Sequence, residues 1–215
     1  MREFSDNLLS YYTGEFAGLN LTRITEPSEF YDKQIIDSLY PFQNLSELAE
    51  IAKDAKLIID VGFGGGFPLI PLAKIFPEKK IIGIDARGKK ASAVQTIAQR
   101  VGLSNVKCFH ARLEEVQIDR DCIVTFKAVG PIKDLLEMMN VSQKSEVWVV
   151  FYKGPKTYEL EDVPKKINGS ELILEKNFGI EDNQRAIFLY KFSRNVPRGT
   201  KKNKNKIVVK VAEID

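Results

Sequence analysis

The hydrophobic pattern of the chain changes character near residue 55. Within residues 1–52, apolar residues recur three or four positions apart in FSDNLLSYYTGEF, SEFYDKQIIDSLYPF and LSELAEIA. This spacing places apolar side chains on one face of a helix, so we predict three helices in this region. Ser28 and Ser46 are the expected N-cap residues of the second and third helices, because a serine hydroxyl can accept a bond from a free N–H of the first turn.

From residue 57 onward, short apolar runs rich in β-branched residues alternate with helical patterns. The runs LIIDVG, KIIGID, NVKCFH, CIVTFK and EVWVVFY predict strands, and PLIPLAKIF, GKKASAVQTIAQRVG and PIKDLLEMM predict the helices between them. Such alternation is typical of an α/β fold, in which a parallel sheet carries helices on both faces. Further along, ELILEKNFGI and QRAIFLYKF predict two consecutive strands, and IVVKV predicts a short additional one.

These patterns divide the chain into three parts. We expect an N-terminal helical extension over residues 1–52, an α/β domain over 53–193 and a basic tail over 194–215. Hydrophobic residues make up 44% of the 215 residues, which is enough for a sizeable core. No window contains the roughly 18 consecutive apolar residues of a membrane span, and no secretory signal is visible. A cytoplasmic protein without a membrane partner is therefore expected.

Charge is distributed unevenly along the chain, although the net charge is only +3. Residues 1–50 hold 3 basic and 9 acidic residues, whereas residues 194–210 hold 7 basic residues and none that is acidic. Such asymmetry indicates a polyanionic partner. His110, Cys108 and Cys122 are the only histidine and cysteines, so we expect neither a disulfide framework nor a metal site.

Candidate chemistry is concentrated in the stretch LIIDVGFGGGFPLIPLAKIFPEKKIIGID, residues 57–85. A buried type of strand leads into Asp60-x-Gly62-x-Gly64-x-Gly66, and glycines allow a positive φ and the close approach of a ligand to the backbone. The dinucleotide motif G-x-G-x-x-G would place its third glycine at Phe67 or Leu69, so NAD is disfavoured. No G-K-[ST] follows the loop, and a P-loop is therefore excluded.

The acid-x-Gly-x-Gly-x-Gly pattern resembles the first motif of S-adenosylmethionine-dependent methyltransferases. The loop backbone can approach the amino acid moiety of that cofactor, and an acid is tolerable near its ammonium or its sulfonium. Asp85 ends the next predicted strand, 25 residues after Asp60. A carboxylate at this place can accept both ribose hydroxyls, in NAD and in S-adenosylmethionine alike, so Asp85 supports a nucleoside without selecting one.

Longer segments carry a more specific resemblance. The stretch GFGGGFPLIPLAKIFPEKKIIGIDARGKKASAV, together with LNLTRITEPSEFYDKQIIDSL, HARLEEV, CIVTFKAV, FYKGP and VPRGTKK, is similar to the glucose-inhibited division protein B family. The members of this family are bacterial 16S ribosomal RNA guanine-N7 methyltransferases. The resemblance covers nearly the whole chain. It implies a Rossmann-like class I methyltransferase sheet, S-adenosylmethionine as cofactor, and 16S rRNA or the small ribosomal subunit as partner. A monomer is our default expectation, although nothing in the sequence shows the oligomeric state.

The resemblance also implies roles for particular residues. Lys127, in Phe126-Lys127-Ala128, stands where the family usually has arginine, and our hypothesis is that it positions an RNA phosphate or the guanine O6 as a catalytic residue. Gln34 stands where the family often has histidine, and Phe63 replaces a usual serine. The pair Leu113-Glu114 is expected to frame the adenine. The full set of expected cofactor-binding residues is Asp60, Gly62, Gly64, Gly66, Phe67, Asp85, Leu113, Glu114 and Lys127.

The chemistry of guanine N7 suits this interpretation, because its lone pair can attack a sulfonium methyl without first losing a proton. Such a transfer requires alignment and electrostatics more than a general base. Three alternatives stay open on the sequence alone. They are a methyltransferase that acts on another RNA or a small molecule, a non-catalytic protein that binds S-adenosylmethionine or RNA, and, more remotely, an NAD oxidoreductase.

Overall fold

The computed structural model describes residues 1–180, 183–195 and 209–214. The chain forms two compact units, which are Met1–His110 and Ala111–Asp215. The predicted division at residues 52 and 193 stays a prediction. Most of the predicted basic tail, residues 196–208 and 215, lies outside the described residues. Among the residues that are described, no helix is long and apolar enough to cross a membrane.

The first unit begins with helices that precede the first strand. Their bounds are Arg2–Thr13 (α1), Pro27–Phe30 (α2), Asp37–Asn44 (α3) and Ser46–Asp54 (α4). A π-helical turn over Tyr31–Ile36 joins α2 to α3, so the chain is helical without a break from Pro27 to Asn44. The apolar face of α1 is buried through Leu8, Leu9 and Tyr12, as the spacing of its apolar residues predicts.

The predicted N-caps of this region are wrong. Helix α2 begins at Pro27 with Glu26 as N-cap, because proline has a preset φ and needs no N–H partner in the first turn. Helix α4 begins at Ser46 with Leu45 as N-cap, and the Ser46 hydroxyl bonds the neighbouring Glu47 carboxylate at 3.0 Å instead of the backbone. The first predicted helix also ends at Thr13 rather than at Phe16, since Gly14 follows it.

The rest of the first unit is a parallel sheet with its crossover helices. The strands Leu57–Val61 (β1), Lys80–Asp85 (β2) and Val106–His110 (β3) lie in the order β3-β2-β1. The helices Leu69–Ile75 (α5) and Gly88–Arg100 (α6) connect them. Every residue of β1 is buried, as its unbroken apolar run predicts. Asp60 pairs with Gly83, and Asp85 pairs with His110, so both acids sit at the carboxyl end of a strand.

The second unit contains a mixed sheet in the order β5-β7-β10-β9-β8. Its strands are Cys122–Lys127 (β5), Val147–Lys153 (β7), Lys166–Ile167 (β8), Ser170–Ile180 (β9) and Asn183–Phe192 (β10). Strands β5 and β7 are parallel, and the other neighbours are antiparallel. Phe126 and Phe151 stack at 5.1 Å between ring centroids, which places the core of this unit across β5 and β7.

Shorter elements complete the second unit. They are Val116–Ile118 (β4), Ile132–Met138 (α7), Asn140–Val141 (β6), Thr157–Leu160 (α8), Val209–Lys210 (β11) and Val211–Ile214 (α9). Strands β11, β4 and β6 form a small parallel sheet. The strand that IVVKV predicts therefore exists over Val209–Lys210. Val211 is fully buried, so the chain returns to the core after the residues outside the description.

Candidate active site

The glycine loop after β1 has the backbone that its composition predicts. Gly62, Gly64 and Gly66 have φ of 69°, 56° and 95°, a region that residues with a Cβ rarely adopt. A Cβ at Gly64 would meet only the Gly62 carbonyl oxygen within 4 Å among the described residues, at 3.8 Å. Bare backbone is therefore open to a ligand at Gly64, while the N–H of Gly62 is bound to the Ile84 carbonyl at 2.7 Å.

Asp85 fastens this loop to the end of β2. One carboxylate oxygen, Oδ2, accepts the N–H of Gly64 at 2.8 Å, and the other, Oδ1, accepts the N–H of Arg87 at 2.8 Å. The side chain is buried, with 6% of its surface exposed. Because an ionised carboxylate offers about four lone-pair sites, Asp85 retains acceptor capacity for hydroxyl groups of a ligand.

Asp60 faces the protein interior rather than solvent. Its side chain is fully buried, and Oδ2 accepts the N–H of Leu69 at 2.9 Å. Leu69 is the first residue of α5, so the carboxylate satisfies one of the free N–H groups at that helix end. Asp60 and Asp85 thus hold the two flanks of the glycine loop. We expect Asp60 to act on a ligand through the loop that it positions.

Phe63, where the family usually has serine, is accommodated by Gly83 on the neighbouring strand. The Phe63 ring is buried, and a Cβ at Gly83 would lie 2.7 Å from it. A side chain at position 83 would therefore displace the ring. The contact between Gly83 and the Phe63 ring could not be predicted from the sequence, in which Gly83 is only one small residue within a strand.

An aromatic cluster braces the glycine loop from the N-terminal helices. The rings of Tyr12, Phe30 and Phe67 lie 5.5 to 5.7 Å apart between centroids. The Tyr12 hydroxyl donates to the carbonyl of Gly65, and burial raises the pKa of that hydroxyl well above its usual value. The side chain of Phe67 is thus part of this cluster. The pattern of apolar residues marked Tyr12 as core but gave no sign of its bond to the loop.

The backbone near Leu21 also contacts the loop. A Cβ at Gly65 would lie 2.2 Å from the Leu21 carbonyl oxygen, so this glycine is required by close approach of the backbone. Residues from the segment LNLTRI are therefore part of the wall of the loop. Both LNLTRI and the glycine loop are among the segments that carry the family resemblance, and this contact shows that they pack against each other.

Cys108 lies on β3 and is half-buried. Burial, followed by the charges of Asp60 and Asp85, raises the pKa of its thiol to about 12. The thiol is protonated at neutral pH, and a thiol is far less reactive than a thiolate. Among the described residues, no group of three or more His, Cys, Asp or Glu side chains could hold a metal ion.

The remaining predicted residues belong to the second unit. Leu113 and Glu114 lie in a 3₁₀ turn over Leu113–Glu115, where Leu113 is buried and Glu114 is half-buried. The turn is fixed at its start, since the Glu115 carboxylate accepts the N–H of Arg112 at 3.0 Å. Lys127 is the last residue of β5, and its side chain is half-buried.

The loop after Lys127 is held by an ion pair. Ala128, the next residue, has φ of 58°, which is rare for a residue with a Cβ. Lys153, from the segment FYKGP, donates to the Gly130 carbonyl at 2.7 Å and to Glu161 at 2.5 Å. The other oxygen of Glu161 accepts the N–H of Ile132 at 2.5 Å. Lys153 and Glu161 therefore fix the path of the chain that leaves Lys127.

The structure thus places the nine predicted residues in two sets. In the first unit it gathers those of the glycine loop and the ends of β1 and β2, which are Asp60, Gly62, Gly64, Gly66, Phe67 and Asp85. In the second unit it places Leu113 and Glu114 in the 3₁₀ turn that precedes β4, and Lys127 at the end of β5. Their roles toward a cofactor stay predictions. The sequence missed three residues around these sets: Tyr12 bonds the loop at Gly65, Gly83 leaves room for the Phe63 ring, and Lys153 fixes the chain that follows Lys127.

Comparisons with known sequences point to one family. The family model for rRNA small subunit methyltransferase G matches residues 14–188. A ribosomal RNA small subunit methyltransferase G from Lactobacillus acidophilus is 32% identical over 190 residues, which cover 84% of this chain and 78% of the relative. The protein of the same name from Lactobacillus helveticus is 33% identical over 202 residues, which cover 86% and 83% of the two chains.

A comparison with solved structures agrees on the fold. Magnesium protoporphyrin IX methyltransferase from Synechocystis PCC 6803, with bound SAM, is similar to this chain with a TM-score of 0.55 and 16% identity. The likeness covers 88% of this chain and 97% of that protein. It confirms the predicted α/β methyltransferase fold. An identity of 16% shows a shared fold and gives no information about the substrate of this chain.

Proposed function

The chain belongs to the rRNA small subunit methyltransferase G family, and from this premise we propose that it methylates N7 of a guanine in 16S rRNA with S-adenosylmethionine as donor. The observation that carries the proposal is the family match over residues 14–188, joined by relatives of that name at 32% and 33% identity. The similarity to the glucose-inhibited division protein B family is thereby confirmed. A ribosomal substrate supports a cytoplasmic location.

The residues of the first unit fit the proposed donor. The open backbone at Gly64 suits the amino acid moiety of S-adenosylmethionine, and the spare acceptor sites of Asp85 suit its ribose hydroxyls. Both groups are held in place by hydrogen bonds within the protein, because Asp85 bonds the loop and Asp60 bonds the start of α5. We assign Leu113 and Glu114 to the adenine on the strength of the family resemblance.

The reaction needs little acid or base chemistry from the protein. S-adenosylmethionine supplies a methyl group on a sulfonium, and the N7 lone pair forms the new bond as the carbon–sulfur bond breaks and the thioether leaves. Guanine N7 carries a lone pair and no proton, so no base is required for it to attack the methyl group. The chain therefore contributes by positioning and by electrostatics. We propose that the Lys127 ammonium holds an RNA phosphate or the guanine O6 in place.

Methyl transfer to ribosomal subunits tests this function. We expect tritium from labelled S-adenosylmethionine to enter 16S rRNA when the protein is incubated with 30S subunits from a strain that lacks the family enzyme. The labelled base should be identified as 7-methylguanine by aniline cleavage and mapping. Asp85→Ala is the matched impaired variant, because a lost hydrogen bond costs about 1–3 kcal/mol, so donor binding should weaken tenfold or more and transfer at subsaturating donor should decrease accordingly.

Each other result of this experiment has a definite meaning. Label in a different RNA would support the alternative of another RNA substrate. Binding of S-adenosylmethionine by calorimetry without label in any RNA would support a non-catalytic protein. Label at a position other than N7 would retain the enzyme class and contradict the proposed chemistry.

A further inference from the structure

A polar groove lies in the first unit, beside the glycine loop. It has a volume of about 560 Å³ and is lined by residues 19–24, Gln34, Arg87 and Lys90. Two contacts fix its place relative to the loop. The carbonyl oxygen of Leu21 packs closely against Gly65 of the loop. The backbone N–H of Arg87 donates to the carboxylate of Asp85, which also holds the loop. The groove therefore adjoins the proposed cofactor residues.

The lining of the groove is cationic. Arg23 comes from the segment before α2, Arg87 is the N-cap residue of α6, and Lys90 lies in the first turn of that helix. None of the lining residues is acidic, so three positive charges face one volume without a carboxylate among them. Like charges so arranged repel one another, and a bound anion relieves that repulsion.

Arg23 differs from its neighbours in having no partner within the part of the chain that the structure describes. The first 50 residues contain only two other basic side chains, Arg2 and Lys33. Arg2 stacks over the Tyr31 ring at 4.2 Å, and Lys33 bonds Glu29 at 2.6 Å. An exposed arginine that stays unpaired in a strongly acidic region is available for an external anion.

The other two cations are also available. Over the described residues, neither the Arg87 guanidinium nor the Lys90 ammonium has a hydrogen bond or an ion pair; Arg87 is bonded only through its backbone N–H. By contrast Arg100, at the far end of the same helix, is paired with Glu15. Arg100 at the C-terminal end of the helix is thus paired, whereas Arg87 and Lys90, which line the groove at the N-terminal end, have no such partner among the described residues.

We propose that this groove binds the sugar–phosphate backbone of the RNA substrate, next to the guanine that is methylated. The inference rests on the proposed function and assigns a subsite to it. Arginine and lysine neutralise phosphates, and most hydrogen bonds in nucleic-acid complexes go to phosphate and sugar. The remaining polar side chains, from Asn20, Thr22 and Gln34, can bond sugar hydroxyls, which distinguish RNA from DNA.

Salt dependence of binding provides the test. The variant Arg23→Gln/Lys90→Gln removes two groove charges, and Lys56→Gln/Lys89→Gln removes two exposed lysines that do not line the groove. Lys89 is the nearest control position, since it precedes Lys90 on α6. Equilibrium binding to the same 30S subunits is measured by co-sedimentation over a series of KCl concentrations. Thermal unfolding confirms that both double variants fold.

The slope of log K against log salt is negative, and in the groove variant its magnitude should decrease by about 0.7–0.9 for each phosphate that is no longer bound, so by about 1.4–1.8 for two. The control variant should keep the wild-type slope. Affinity for S-adenosylmethionine, measured by calorimetry, should be the same in all three proteins. An unchanged slope in the groove variant would overturn the proposal, and so would a tenfold loss of donor affinity, which would assign the cations to the donor carboxylate.

A crosslink identifies the partner directly. With Arg23→p-benzoylphenylalanine, irradiation of the complex with 30S subunits should join the protein to 16S rRNA. Crosslinks to ribosomal proteins alone would contradict an RNA groove. Failure of the proposed function is read separately, in the methyl-transfer assay with wild-type protein. If no methyl group is transferred but the slope difference and the RNA crosslink are found, the groove stands as an RNA-binding site while the enzymatic proposal falls.

Discussion

Asp85 illustrates how one side chain can serve both the fold and a ligand. Its two oxygens accept the N–H groups of Gly64 and Arg87, so it fixes the glycine loop on one side and the start of α6 on the other. The sequence predicted a carboxylate at this place from spacing alone. It could not predict that Arg87, held by the same carboxylate, would line the groove.

Lys127 carries the catalytic hypothesis at the residue scale. We expect Lys127→Ala to lower the turnover of 30S methylation by roughly 100-fold, as the loss of one preorganised positive group does in other enzymes. Lys127→Arg should retain activity, because arginine can hold the same phosphate or carbonyl oxygen. The measurement is initial tritium transfer at saturating donor.

A matched control separates this role from general loss of charge. Lys176→Ala removes one exposed lysine of β9 in the same unit and should leave turnover unchanged. Equal turnover of Lys127→Ala and wild type would reject the positioning role. A loss confined to the KM for subunits would assign Lys127 to substrate binding rather than to the transfer step.

The sequence did not predict the role of residues whose contacts lie far along the chain. Spacing identified Asp60, Asp85 and the glycines, because acids at strand ends and glycines in turns have a local physical cause. Gly83 matters only through the Phe63 ring on a neighbouring strand. Tyr12 matters through a carbonyl more than fifty positions away. Such contacts are set by packing between elements, which a local pattern does not contain.

At the scale of elements, the N-terminal helices and the glycine loop are one packed structure. Tyr12 on α1 bonds the Gly65 carbonyl, Phe30 on α2 contacts Phe67, and the Leu21 backbone closes on Gly65. The spacing of apolar residues predicted residues 1–52 to be a helical extension. Their contacts show that they form part of the support of the loop.

A substitution at Gly65 probes that support. Gly65→Ala forces a Cβ against the Leu21 carbonyl oxygen, and we expect it to lower the free energy of unfolding by about 1–3 kcal/mol, the usual cost of overpacking. Donor affinity should fall as well, because the loop must shift. Urea denaturation and calorimetry measure the two effects.

Gly18→Ala is the matched control for this prediction. A Cβ at Gly18 would meet no atom within 4 Å among the described residues, and its φ is not positive. Stability and donor affinity should both stay at the wild-type values. A Gly65→Ala protein as stable as Gly18→Ala would show that the Leu21 segment yields easily and does not support the loop.

The order of elements was accessible to sequence because it depends on periodicity. The predicted strands and the helices between them are confirmed, since a buried parallel strand and an amphipathic helix have different spacings of apolar residues. The first residue of a helix was harder to predict. Proline suits the first helical position, so α2 begins at Pro27 before Ser28 can act as N-cap, and the Ser46 hydroxyl bonds a side chain instead of a backbone N–H. The π-helical turn over Tyr31–Ile36 gave no signal in the spacing of its residues.

For the whole molecule, charge distribution is more informative than net charge. A net charge of +3 conceals an acidic region over residues 1–50 and a basic one over 194–210. At either end of the basic region the structure finds partners, since Arg194 is paired with Asp121 and Lys210 with Glu213. Five basic residues between them lie outside the described residues, and their expected contact with RNA stays a prediction.

Neutralising those five residues tests the predicted tail. Deleting residues 194–215 would also remove β11 and the buried Val211, so substitution by glutamine is the cleaner change. We expect the magnitude of the negative slope of log K against log salt for 30S binding to decrease by about 0.7–0.9 for each phosphate that the tail no longer neutralises. The residues to change are Arg198, Lys201, Lys202, Lys204 and Lys206.

An equal change elsewhere on the second unit serves as the control. Five exposed lysines of that unit are suitable for it, namely Lys144, Lys156, Lys165, Lys166 and Lys176. If this control flattens the salt dependence as much as the tail variant does, the effect belongs to net charge and not to the tail. Combined with the groove variant, the tail variant should give an additive decrease in slope if the two sites bind separate phosphates.

The contacts of Tyr12 and Leu21 with the glycine loop also bear on how the protein is made. Translation proceeds from the N-terminus. The Tyr12 hydroxyl, which donates to Gly65, and the Leu21 carbonyl, which packs against it, are therefore synthesised before the loop itself. The two acids that hold the loop, Asp60 and Asp85, also lie within the first 110 residues. Every described brace of the loop is therefore present on the nascent chain before the second unit has been synthesised.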